Sequence, residues 1–237
     1  MKYELETIPI WEAYKADVNC PLCFLEKKAE ETYVKFFLGS SVMNPETRIQ
    51  VNDAGFCGRH YSMLFAAGEN RHGLGLVTHT HLPELKNQIK TSMPALQKNG
   101  SKIRRSDIEA FCTFLEKKEQ ECMICSRLQQ TLNRFTFTIV YLWQTDPDFK
   151  TALEKSKGVC LHHTAPLMRM AAETLSKKEC TIFISDLWAS IEKYLEELES
   201  SVYEFSQHFD YRFSGKSWGK EKDALIRAIN TITGASI

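Results

Sequence analysis

A pattern of cysteine and histidine residues occurs twice along this chain of 237 residues. The first copy combines Cys20-Pro21-Leu22-Cys23 with Gly55-Phe56-Cys57-Gly58-Arg59-His60, and the second combines Cys122-Met123-Ile124-Cys125 with Gly158-Val159-Cys160-Leu161-His162-His163. The two CxxC pairs lie 102 positions apart (122 − 20) and the two CxxH pairs 103 apart (160 − 57), so one inserted residue accounts for the difference. The sequence therefore predicts a duplicated unit, far longer than a solenoid repeat.

Helix-start signals recur at the same offset. Asn44-Pro45-Glu46 and Asp146-Pro147-Asp148 each provide an N-cap residue, a proline at the first helical position and an acidic first turn. An amphipathic helix is predicted before each signal. After each signal comes a glycine, Gly55 or Gly158, two residues before the third cysteine, where a positive φ would allow the backbone to turn. Each copy is therefore predicted to run as CxxC, helix, short return helix, GxCxxH and helix.

Nearly every other periodic segment also has helical spacing. The longest candidate helix carries Leu187, Ile191, Tyr194 and Leu198 on one face, and neither an alternating strand nor an Asn-Gly hairpin is found. The sequence predicts an all-α fold, with a first repeat over residues 1–100 and a second repeat with a C-terminal extension over 101–237, joined by a connector at 91–105. It leaves open whether the two halves share one core.

Three cysteines and one histidine per copy match the ligands of a closed tetrahedral zinc site. Buried free cysteines are the simplest alternative, and an iron–sulfur centre could use the same residue types, but zinc is the commoner outcome. His162, next to His163, is an alternative fourth ligand in the second copy. We expect two zinc ions per chain, one bound by Cys20, Cys23, Cys57 and His60 and the other by Cys122, Cys125, Cys160 and His163.

The amino-acid composition limits the cellular location and the classes of binding partner that can be expected. Thirty basic and 30 acidic residues cancel, so no global positive charge attracts nucleic acid or an anionic membrane. The N-terminal residues 1–6 carry charges where a signal peptide needs an apolar run, and the best uncharged stretch, 135–145, is shorter than the roughly 20 residues of a membrane-spanning helix. Only Cys112 and Cys180 lie outside the two patterns, which favours the reducing cytoplasm.

No catalytic residues are predicted, because the chain lacks a Gly-rich phosphate loop, a nucleophile elbow and an HExxH motif. Three functions remain open. The first is a zinc-stabilised helical scaffold that binds a protein or peptide, and the second is a thiol-based redox or metal sensor that releases zinc on oxidation. The third, a zinc hydrolase, needs an open coordination position that four protein ligands do not leave.

The doubled CPxC and GFCxxH motifs, together with the tail segments 209–213 and 218–223, resemble an uncharacterised family of bacterial proteins found largely in Firmicutes. The resemblance covers nearly the whole chain and implies a bacterial cytosolic protein, without an established activity. The second copy departs from the family pattern at Gly158-Val159-Cys160-Leu161-His162-His163, which bears on the fourth ligand. The tail at 209–223 is interpreted either as a strap over the core or as a partner-facing surface.

Overall fold

The computed structural model describes residues 5–93, 103–213 and 217–234. Within these ranges the chain forms only helices and no strand, which confirms the predicted all-α fold. Residues 94–102 of the predicted connector lie outside the described residues. The α-helices are α1 (Thr7–Lys15), α2 (Pro21–Leu38), α3 (Pro45–Ala54), α4 (Gly58–Ala67), α5 (Arg71–Ser92), α6 (Arg105–Gln120), α7 (Met123–Thr145), α8 (Pro147–Lys155), α9 (Leu161–Thr174), α10 (Lys177–Gln207) and α11 (Ala224–Thr233), with short 3-10 helices at Ser40–Met43, Tyr211–Phe213 and Lys220–Asp223.

The predicted helix starts are confirmed for both return helices. The Asn44 side chain accepts a hydrogen bond from the Thr47 backbone N–H at the start of α3 (3.0 Å), and Asp146 accepts two from the first turn of α8. Gly55 and Gly158 have φ angles of 64° and 72°. The chain therefore turns sharply before each GxCxxH segment, as the sequence predicts.

Contacts between residues divide the chain into two compact units. One unit comprises Met1–Lys28 and Gln130–Ile237, and the other comprises Ala29–Gln129. These boundaries fall inside α2 and α7 and differ from consecutive halves over 1–100 and 101–237. The order of α-helices from CxxC to GxCxxH is the same in both copies, with a 3-10 helix at Ser40–Met43 in the first copy only, and duplication remains an inference from the sequence.

The first unit has a core built around α10, whose apolar stripe packs against α8 and α9. Phe149 of α8 is fully buried, and the rings of Trp11 and Tyr14 from α1 meet it edge-on with centroids 5.3 and 4.9 Å away. Burial of such large apolar side chains is the main source of stability in a helical core. The largest fully buried side chains of this core are Phe149, Phe183, Ile10, Leu22, Ile139, Leu153, Leu167, Leu187 and Ile191.

The second unit has its own core, in which α3 packs along α5. Phe56, next to the ligand candidate Cys57, contacts the rings of Phe37 and Tyr61 at centroid distances of 5.1 and 5.4 Å. The Met123 backbone N–H at the start of α7 donates to the Gly55 carbonyl (3.0 Å). This bond joins the GxCxxH segment of the first copy to the CxxC segment of the second.

None of the described helices combines the length and the low charge that a membrane span requires.

Candidate metal centres

Cluster A consists of Cys20, Cys23, Cys160 and His163 and lies entirely in the first unit. Cys20 and Cys23 flank the start of α2, whereas Cys160 caps α9 and His163 lies in its first turn. His163 Nδ1 lies 3.6, 3.3 and 3.2 Å from the sulfur atoms of Cys20, Cys23 and Cys160. The sulfur atoms of Cys23 and Cys160 are 3.5 Å apart.

Cluster B consists of Cys57, His60, Cys122 and Cys125 and lies entirely in the second unit. Cys57 caps α4 with His60 in the first turn, and the Cys122/Cys125 pair flanks the start of α7. His60 Nδ1 lies 3.3, 3.2 and 3.3 Å from the sulfur atoms of Cys57, Cys122 and Cys125. The sulfur atoms of Cys57 and Cys125 are 3.9 Å apart.

These distances fit a single tetrahedral ion. Zn–S bonds of about 2.3 Å and Zn–N bonds of about 2.0–2.1 Å, set at the tetrahedral angle, separate two sulfurs by about 3.8 Å and a sulfur from a nitrogen by about 3.6 Å. The sulfur–sulfur distances of 3.5 and 3.9 Å and the sulfur–nitrogen distances of 3.2–3.6 Å lie close to these values. Both clusters could therefore hold a metal ion without rearrangement of the backbone.

The predicted grouping of the eight residues is wrong. Each CxxC pair joins the CxxH pair of the other copy, so Cys20 and Cys23 meet Cys160 and His163 rather than Cys57 and His60. The other predicted group, Cys122 and Cys125 with Cys160 and His163, is likewise replaced by cluster B.

Helix length explains the exchange. At 1.5 Å per residue, the 18 residues of α2 rise about 27 Å, whereas the 10 residues of α3 return only about 15 Å. The difference of about 12 Å corresponds to about eight residues of α2. The chain therefore returns level with Glu30, about two turns of α2 beyond Cys23. His60 does contact Glu30, with Nε2 3.0 Å from the carboxylate. In the second copy the mismatch is larger, because α7 has 23 residues and α8 has 9.

Two glutamates that sequence reasoning missed contact the histidines on the side away from the sulfurs. Glu30, only 7% exposed, binds His60 Nε2 and also lies 2.8 Å from the Arg59 guanidinium. Glu26 Oε2 lies 3.2 Å from the buried Nε2 of His163, within ion-pair distance but without hydrogen-bond alignment. A carboxylate on the far nitrogen leaves Nδ1 facing the sulfurs and orients the ring of a metal-binding histidine. A glutamate three or seven residues after CxxC on the same helix is the sequence signal for them.

The two histidines differ in electrostatics. Burial lowers the pKa of His60 despite the neighbouring Glu30, which favours the neutral imidazole that binds metals. Burial acts in the same direction on His163, but contacts with Cys160, Cys20 and Glu26 outweigh it and raise its pKa to about 11. Hydrogen bonds with Cys20 and Cys23 hold the pKa of Cys160 well below its usual range. A metal ion entering cluster A would therefore displace a proton from the imidazole of His163.

The clusters also differ in exposure. In cluster A only Cys23 is partly exposed, whereas in cluster B Cys57 is partly exposed and Cys125 is exposed. Partial burial would raise the pKa of Cys57, but hydrogen bonds from the His60 backbone N–H and from the neighbouring thiols lower it. Helix N-termini have this effect on thiolates. His162 is exposed and lies outside cluster A, but it forms a further group of ligand-type side chains with Glu26 and His163.

A cavity of about 190 Å³ opens onto cluster A. Cys20 and Cys23 form part of its wall, Lys27 adds a charged side chain, and Asn230 and Thr231 of α11 also line it. Such an opening could serve as a path for the metal. The end of α11 thus lies beside the candidate metal site. The tail at 209–223 is a different segment, and its interpretation as a strap or a partner-facing surface stays a prediction.

The helices and the two four-residue clusters define an all-helical protein with two candidate metal centres. The chain belongs to DUF6062, a family of unknown function whose sequence model matches residues 1–237. It is also similar to an "Uncharacterized 23.9 kDa protein in xynA 3'region" of Caldicellulosiruptor sp. (strain Rt8B.4), with 24% identity over 190 residues, 79% of this chain and 82% of that protein. No solved structure matches the chain. The resemblance to an uncharacterised family without an established activity is confirmed.

Proposed function

We propose that this protein is a zinc-stabilised helical scaffold that binds a protein or peptide partner in the cytoplasm. Each cluster binds one zinc ion through three cysteines and one histidine, so the ligands are Cys20, Cys23, Cys160 and His163 in cluster A and Cys57, His60, Cys122 and Cys125 in cluster B. The observation that carries the proposal is the match of both clusters to tetrahedral ligand spacing.

Zinc is favoured over other metals by the ligand types. Thiolate and imidazole ligands in a compact set of four suit a closed zinc site, and four protein ligands leave no position for a catalytic water. The closed ligand set therefore disfavours a zinc hydrolase. The clusters join the starts of helices that are distant in sequence, which is the role of a structural ion.

Elemental analysis of the purified protein tests the metal content. We expect close to two zinc ions per chain, because two complete sets of ligands are present. Absence of zinc, or an iron–sulfur absorption band, would contradict the proposal. Pull-down of partners from the native cytosol, compared between the zinc-loaded protein and a chelator-treated sample, then tests the binding role.

A redox sensor is the second candidate, and the exposure of cluster B favours it. Cys125 is exposed and its sulfur lies 3.9 Å from that of Cys57, so loss of metal would leave two thiols close enough to oxidise to a disulfide. Mild peroxide separates the two functions. A scaffold releases zinc slowly and keeps its helicity, whereas rapid release with a large loss of helical signal, reversed by thiol reductant and zinc, identifies a sensor.

A further inference from the structure

Helix α6 exposes an apolar stripe that the core does not use. Within α6, all of whose residues the structure describes, no side chain is buried. Its inner face is half-buried and includes the stacked rings of Phe111 and Phe114, with centroids 6.1 Å apart. The outer face carries Ile108 and Leu115, which are 48% and 40% exposed, and the exposed thiol of Cys112 lies between them.

A charged residue lies at each end of this outer face of α6. Arg105, Ile108, Cys112, Leu115 and Glu119 follow one another at spacings of three, four, three and four residues, so they line one side of the helix, and all five are exposed. This set is called the α6 stripe below. It begins with a basic residue, has an apolar centre and ends with an acidic residue. The exposed Glu109 and Glu116 lie beside Cys112 on the edge away from Ile108 and Leu115, at the rim of this face.

The α6 stripe is complementary to itself in the antiparallel direction. A second copy running the opposite way places Glu119 against Arg105, Leu115 against Ile108 and Cys112 against Cys112. The same contacts occur twice, as a two-fold axis requires. A parallel arrangement would instead oppose arginine to arginine and glutamate to glutamate, which is repulsive.

We propose that two copies of this chain associate through an antiparallel pairing of α6, with the two-fold axis at Cys112. One helix face buries less than the roughly 1,200 Å² of a standard interface, so this dimer is weak and depends on concentration. Its apolar centre supplies affinity, and its charged ends fix the orientation. The metal clusters take no part in the pairing.

Cross-linking at Cys112 tests the position of the axis. A short bismaleimide should join two copies of the zinc-loaded protein through Cys112, and the product should disappear in Cys112→Ser. Cys180→Ser, which removes the other cysteine outside the clusters, is the matched control and should leave the product unchanged. A cross-link that persists in Cys112→Ser would contradict the proposal.

Charge exchange tests the orientation. Arg105→Glu and Glu119→Arg each turn both end pairs of the dimer into like charges, and sedimentation should show association weakened roughly tenfold in each variant alone. An equimolar mixture of the two variants restores opposite charges at both ends and should associate as the wild type does. Wild-type protein that stays monomeric at high concentration, or a mixture no better than either variant alone, would overturn the proposal. Circular dichroism checks that both surface variants remain helical.

Discussion

Glu30 acts on cluster B through His60 and is not itself one of the four proposed ligands. Its carboxylate is buried and holds His60 Nε2 at 3.0 Å, while Arg59 neutralises its charge from the solvent side. A buried carboxylate without such partners would be costly. Glu30 is therefore placed to keep the imidazole in the tautomer and orientation that face the cysteines.

Glu30→Gln should weaken zinc binding at cluster B by about 10–100-fold, because an amide orients the imidazole and enhances its basicity less than a carboxylate does. Competition with a metallochromic chelator measures the change. Glu31→Gln, at an exposed neighbouring position of the same helix, is the control and should have no effect. Equal affinities for Glu30→Gln and the wild type would show that the contact does not support a metal ligand.

Glu221 stabilises the conformation of the C-terminal tail segment 218–223. Its carboxylate accepts a hydrogen bond from the Gly219 backbone N–H (2.8 Å) and lies 2.7 Å from His208 Nε2, while the Trp218 ring stacks on His208 at 4.0 Å. These residues fix the segment before α11. Hydrogen bonds from the backbone N–H groups of Gly219 and of Glu221 itself, followed by the contact with His208, lower the pKa of Glu221 from 4.5 to about 2.

A depressed pKa in the folded state predicts a pH dependence of defined sign. The contact of Glu221 stabilises the fold fully above about pH 4.5, and the stabilisation is lost as the pH falls toward 2. The melting temperature of Glu221→Gln should therefore lie below that of the wild type at neutral pH. The difference should shrink in acid. A difference that stays constant down to about pH 3 would contradict this assignment.

At the scale of elements, the turn before each GxCxxH segment is the most constrained point of the backbone. Gly55 has a positive φ, and a Cβ placed on it would lie 2.6 Å from Nε2 of the buried His81. His81 cannot move freely, because its Nδ1 contacts the Asn52 carbonyl at 2.8 Å. Only glycine satisfies both demands without strain.

Gly55→Ala should destabilise the protein by about 1–3 kcal/mol, through backbone strain and the clash with His81. Gly75→Ala is the matched control, since Gly75 lies in α5 with open space around it, and alanine should stabilise a helix interior by about 0.5–1 kcal/mol. Chemical denaturation of both variants measures the two changes. A similar free energy of unfolding for both would refute the proposed constraint.

The sequence predicts the helices and their boundaries better than it predicts which ligand residues come together in the folded chain. Caps at Asn44 and Asp146 and positive φ at Gly55 and Gly158 are local properties, and local patterns determine them. The grouping of ligands depends on how far each helix carries the chain, which the order of the motifs along the sequence does not reveal. The unequal lengths of α2 and α3 were the overlooked signal, since a return helix shorter than its partner cannot bring Cys57 back to Cys23.

The exchange of ligands between the two copies of the pattern is found in both units. Both units contain a CxxC pair from one copy and a CxxH pair from the other, and each has its own apolar core beside its cluster. Because a metal bond joins segments that are far apart in sequence, loss of one cluster should weaken one unit most.

Paired substitutions that remove two sulfurs test that grouping directly. In Cys23→Ser/Cys160→Ser both losses fall in cluster A, so native mass spectrometry after a chelator challenge should find one retained zinc ion, held by the intact cluster B. In Cys23→Ser/Cys57→Ser each cluster loses one ligand, and no chelator-resistant zinc should remain. The opposite result, with one resistant zinc in Cys23→Ser/Cys57→Ser and none in Cys23→Ser/Cys160→Ser, would show that each copy binds its own metal and would contradict the account.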